Sequence, residues 1–106
     1  MSYQHNKTPK ELNEQLLIGI KKHLLIAQST SETKAVRLQS LSNVAEVLEY
    51  VLQNMNEAVP LEELAIYYKF FKKLLTRITV AKIQIHQHPA TFTDEIGFIS
   101  MVLSLR

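Results

Sequence analysis

The stretch Leu64-Ala65-Ile66-Tyr67-Tyr68-Lys69-Phe70-Phe71-Lys72-Lys73-Leu74-Leu75-Thr76-Arg77-Ile78 decides how this chain folds. Placed on a wheel at the helical period, its side chains separate by character. Leu64, Tyr67, Phe71, Leu74, Leu75 and Ile78, continued by Ala81 and Ile85, fall within about 120° of arc. Lys69, Lys72, Lys73, Thr76 and Arg77 fall on the other side. The reading is an amphipathic helix, continuous at least to Ile78. Beyond it Thr79 and Val80 are β-branched, Lys82 turns toward the apolar arc, and Val80 and Ile83 turn away. A kink or a helix end at 79–82 therefore stands beside a straight helix as an alternative. A strand would have no partner elsewhere in the chain.

Working outward, Pro60 starts this helix, with Glu62 and Glu63 in a first turn where the macrodipole favours carboxylates. Upstream, Leu38, Leu41, Ala45, Leu48, Leu52 and Met55 alternate spacings of three and four, and Val44 and Val51 broaden the stripe. This second helix should stop near residue 57, after Asn54 and Asn56 and before the Val59-Pro60 pair. Either Ser29 with Glu32, or Ser31 alone, would cap its start. A first helix opens at Thr8-Pro9-Lys10-Glu11 as a capping box and runs through Leu12, Leu16, Ile20, Leu24 and Ala27. Leu17 and Ile18 widen its stripe, and Gly19 marks a close helix crossing or a hinge. Gln87-His88-Pro89-Ala90 ends the third helix, and Thr91 or Thr93 caps a fourth that carries Asp94 and Glu95 in its first turn. Ile96, Ile99, Val102 and Leu103 form its buried side, which Phe98 and Met101 broaden. Short connections force neighbours in sequence to lie side by side. The expected architecture is all-α, an antiparallel up-down four-helix bundle over residues 1–106 as a single domain, with residues 1–7 disordered.

Composition removes several classes of function. With 2 glycines, no phosphate cradle of consecutive backbone donors can form, because Gly19 and Gly97 are far apart. The chain has no cysteine, so thiol nucleophiles, disulfides and cysteine metal sites are excluded. No purely apolar run exceeds 5 residues, against the about 18 needed to cross a bilayer, which makes a soluble cytoplasmic protein the expectation. His86 and His88, spaced i,i+2, are the nearest approach to a metal motif, and nothing links His5 or His23 to them. Glu62/Glu63 and Asp94/Glu95 occupy first helical turns for local reasons, so no catalytic residue, metal or cofactor is expected and the chain reads as a non-enzyme.

The charges are more informative than their small sum of +2. Residues 46–63 carry Glu46, Glu49, Glu57, Glu62 and Glu63 and no base. Residues 64–88 carry Lys69, Lys72, Lys73, Arg77 and Lys82 and no acid. The expectation is a basic ridge on the third helix, with Ile66, Val80 and Ile83 on or near it, free to meet a protein or a phospholipid headgroup layer. No reading helix or exposed aromatic platform points to nucleic acid.

The order of apolar and aromatic residues also carries a resemblance. A helix of the form Leu41-x-x-Val44-x-x-Val47-Leu48-x-Tyr50-Val51 precedes a turn with Pro60. Then come Leu61-x-x-Leu64-x-x-Tyr67-Tyr68-x-Phe70-Phe71-x-x-Leu74 and a last helix announced by Phe92-Thr93-x-Glu95-x-x-x-Ile99. This pattern resembles the pediocin-like (class IIa) bacteriocin immunity proteins of lactic acid bacteria. The resemblance implies a small cytosolic antiparallel four-helix bundle that protects the producing cell without catalysis. Its implied partner is the membrane-embedded mannose phosphotransferase permease with bacteriocin docked on it, met close to the membrane. The C-terminal half would set specificity, which assigns partner contact to Lys69, Lys72, Lys73 and Arg77 and to Phe92 and Phe98 at the fourth helix. Relative to the family pattern, the span from Pro60 to Phe92 is longer and the chain stops at Arg106, where relatives often carry a tail. The alternative reading is a small helical adaptor or regulatory protein that binds a protein or nucleic acid through the same basic face.

Overall fold

The computed structural model describes the backbone of residues 9–58, 61–85 and 90–104, and the side chains of 14–53, 67–85 and 90–104. Among the described residues four helices form: α1 (Pro9–Gln28), α2 (Lys34–Ala58), α3 (Leu61–Gln84) and α4 (Thr93–Ser104). They build an all-α four-helix bundle whose longest axis is 41 Å, close to the about 37 Å of one 25-residue helix. The bundle is therefore one helix long. Expectations for residues 1–7, the Thr8 cap, Pro60, His86 and His88 lie outside the described residues, as do those for the side chains of Leu12, Met55, Leu64 and Ile66.

The core follows the stripes. Leu17, Ile20, Leu24 and Ala27 of α1 meet Leu41, Val44, Leu48 and Val51 of α2. Tyr67, Phe71, Leu74, Ile78 and Ala81 of α3 and Ile99 and Val102 of α4 close the cluster, with Ile85 and Phe92 just outside the helices. Each fully buried Leu or Phe contributes about 1.5–3 kcal/mol before chain entropy is set against it. Close backbone approach joins α1 to α2, α2 to α3 and α1 to α4. The α3–α4 side is spanned instead by long side chains.

Several local expectations are corrected. Helix α3 runs unbroken to Gln84, so no helix end occurs at 79–82, and the longer span after Pro60 is taken up as helix. Val80 and Ile83 do turn outward, and Lys82 is exposed beside them. The cap of α2 is Thr33, whose Oγ1 accepts from the Val36 amide at 3.2 Å and whose carbonyl accepts from Arg37. Ser29 and Ser31 instead bond each other in the turn before it. At α4 the Phe92 carbonyl takes the first helical bond, from the Ile96 amide at 2.8 Å, so neither Thr91 nor Thr93 holds the cap position. Ile18 is 54% exposed and lies outside the α1 stripe, and Met101 of α4 is likewise exposed.

Gly19 marks no close crossing: a Cβ built there meets nothing within 4 Å. Its cost is then purely conformational. Gly19→Ala should stabilise the chain by about 1 kcal/mol in urea unfolding, and Thr33→Ala should destabilise it by about the same amount through the lost cap.

Candidate functional site

The α3–α4 side begins with Phe92, a residue that three parts of the fold hold. Its amide donates to Gln28 Oε1 at 2.8 Å, which ties it to the end of α1. Its carbonyl opens α4, and its ring is wholly buried. Above the ring lies the guanidinium of Arg77, 5.1 Å from the centroid. Arg77 reaches there from α3 and makes two further bonds. Nη1 donates to Glu95 Oε2 in an ion pair, and Nη2 donates to the Thr91 carbonyl at 3.0 Å. A planar guanidinium with several fixed donors suits this triple contact, which a lysine could not make.

Glu95 is mostly buried, and its second oxygen has no hydrogen-bond partner among the described residues. Its place is readable afterwards: Glu95, Ile99 and Val102 share one stripe of α4, all buried. Assigning Glu95 only to the helix dipole missed that it faces inward. The segment 64–88 has no acid of its own, which disguised Arg77 as a free cation. Its partner arrives from 18 residues downstream.

Beyond this staple, the rings of Phe70 and Phe98 pack across the seam, centroids 4.3 Å apart and planes tilted by 33°. An open groove of about 540 Å³ remains between the helices, with Phe70, Phe98, Lys73 and Arg77 in its lining and Thr93 and Asp94 at its α4 end. Lys69 and Lys73 are exposed and have no ion-pair partner among the described residues, while Lys72 Nζ sits 5.2 Å from the Tyr68 ring centroid.

The structure thus divides the expected contact residues. Lys69, Lys72 and Lys73 stand on the open face, and Phe98 is half-buried at the groove. Phe92 belongs to the core and has no surface to offer, which corrects its assignment to partner contact. Arg77 is a structural tie between helices, although its side chain stays partly open to solvent. Among the described residues no His, Asp and Glu cluster could hold a metal ion, and no helix is long and apolar enough to cross a membrane. In comparisons with known proteins, the chain matches no family model, no curated protein and no solved structure.

The side chain of Arg77 is 41% exposed and that of Glu95 only 11%, so the two halves of the pair are not equivalent. Removing Glu95 leaves an arginine that can turn to water, whereas removing Arg77 strands a carboxylate that cannot. Arg77→Ala should cost about 2–3 kcal/mol in urea unfolding and Glu95→Ala about 1 kcal/mol. A double-mutant cycle should return a coupling of about 1 kcal/mol or more.

Proposed function

We propose that this chain is a non-catalytic recognition protein, and specifically an immunity protein of the pediocin-like bacteriocin kind. In this reading it occupies the bacteriocin-docked mannose permease complex at the inner face of the membrane. The observation that carries the reading is the pair Lys69 and Lys73 of α3, exposed and without an ion-pair partner among the described residues, beside an open groove against α4. Both lie in the half of the chain that the resemblance assigns to specificity. The helical bundle and the Tyr67-Tyr68-x-Phe70-Phe71 block support it further, because that block supplies both core and groove: Phe71 is buried and Phe70 lines the seam.

Binding by such a face depends on charge and shape and needs no reactive group. Lys69 and Lys73 supply steering toward an acidic surface, and the Phe70–Phe98 pair offers apolar area for the contact centre. Arg77 is left out of the contact set, since it already binds Glu95 and Thr91.

The test is protection. Expressed in a bacteriocin-sensitive strain and challenged with a panel of pediocin-like peptides, the chain should restore growth against at least one. Lys69→Glu with Lys73→Glu should abolish that protection while far-ultraviolet circular dichroism stays unchanged. Full protection by the double variant would remove the lysine face from the account. An adaptor reading on nucleic acid is separated by duplex binding that weakens steeply with salt, which the immunity reading does not produce.

A further inference from the structure

On the opposite flank of α3 lies a second groove, of about 590 Å³, between α2 and α3. Its α2 wall carries Glu46 and Glu49, one turn apart, both exposed and without an ion-pair partner among the described residues. Its floor is apolar, from Ala45 and Leu75, which are only partly buried. At its α3 edge stands Ile83, 73% exposed and the most exposed large hydrophobic side chain among the described residues. Lys82 stands beside Ile83 and pairs with neither carboxylate.

An acidic wall, an apolar floor and a projecting aliphatic anchor fit one kind of occupant. We propose that this groove docks an amphipathic helix from another protein, apolar on its inner face and basic along the flank that meets Glu46 and Glu49. Residues 75–83 of α3 span about 12 Å, which accommodates two to three turns of such a helix. Apolar residues at i and i+7 or i+8 would cover Leu75 and Ile83, and two basic residues three or four apart would reach the carboxylates. Lys82 sets the orientation, because the basic flank of the occupant must lie away from it. The short contact makes the complex a transient one.

Other occupants fit less well. An anionic bilayer meeting this face would press its phosphates against Glu46 and Glu49. A second copy of the chain brings a like groove, and two grooves do not fill each other. The inference stands apart from the immunity reading, since it uses a different flank of α3 and none of Lys69, Lys73 or the α4 seam.

The experiment uses the full chain and two synthetic three-turn helical peptides that share an apolar face. One carries two lysines on its flank, and the other carries two glutamates at the same places. Fluorescence anisotropy should show the lysine peptide binding about tenfold or more tighter than the glutamate peptide. Glu46→Lys with Glu49→Lys should reverse that preference, and Ile83→Ser should weaken both peptides several-fold. All three positions are exposed, and circular dichroism of each variant checks that the fold is kept. Equal binding of the two peptides, or a preference that survives the charge reversal, would overturn the proposal. Sedimentation with phosphatidylglycerol vesicles that Ile83→Ser abolishes would replace the helix with a membrane. A dimer in light scattering that the same substitution dissolves would replace it with a second copy.

Discussion

The bundle depends on how its shortest helix is held. At 12 residues, α4 is too short to be stable by itself. Its packed face, Ile99 and Val102, lies in the common core, and its backbone comes close to α1. Its start is fixed differently, through Phe92. One residue gives its amide to α1, its carbonyl to α4 and its ring to the core, and receives the Arg77 guanidinium from α3. Arg77 then binds the first turn of α4 at Glu95 and the strand of chain before it at Thr91. A short helix is thereby tied at its N-terminus to two neighbours, and the connection from α3 arrives already anchored.

This tie also explains why a groove exists. Where α1 and α2 meet, small and branched residues such as Ala27 and Val44 are buried and the backbones come close. Where α3 meets α4, Phe70, Phe98, Arg77 and Glu95 stand between the helices. Long side chains hold the axes apart and leave open space at the seam. The open groove is thus a consequence of the residues that join the helices, and needs no separate loop.

Residue periodicity was enough to read the four helices and most of the core. Stripes such as Leu41, Val44, Leu48 and Val51 bury themselves whatever their exact partners are. Local chemistry was less readable. The cap expected of Ser29 with Glu32, or of Ser31 alone, falls on Thr33, and only the backbone path of the turn selects it. The Phe92 and Arg77 contacts were invisible for a physical reason: each joins residues that are remote in sequence, 64 apart for Phe92 and Gln28. A wheel drawn for one helix shows which way a side chain leaves that helix, and carries nothing about what waits there. Lys69 and Lys73 are exposed as expected because solvent requires no partner to be known, whereas Arg77, set with them on the polar side of the wheel, reaches Glu95 on another helix.

The residues that hold the fold and those left open to solvent are therefore different residues of α3. Tyr67, Phe71, Leu74 and Ile78 hold the core, and Arg77 holds α4. Lys69 and Lys73 on the outer face, and Ile83 toward α2, contribute little to either. Exposed charges without partners are worth a few tenths of a kcal/mol to folding, about a tenth of what a buried aromatic supplies. Their identity is consequently free to follow whatever the surface meets. A bundle arranged in this way can exchange a few outward side chains while the Phe92 anchor and the core stay as they are, because the residues that hold the helices together and those that face solvent are different ones.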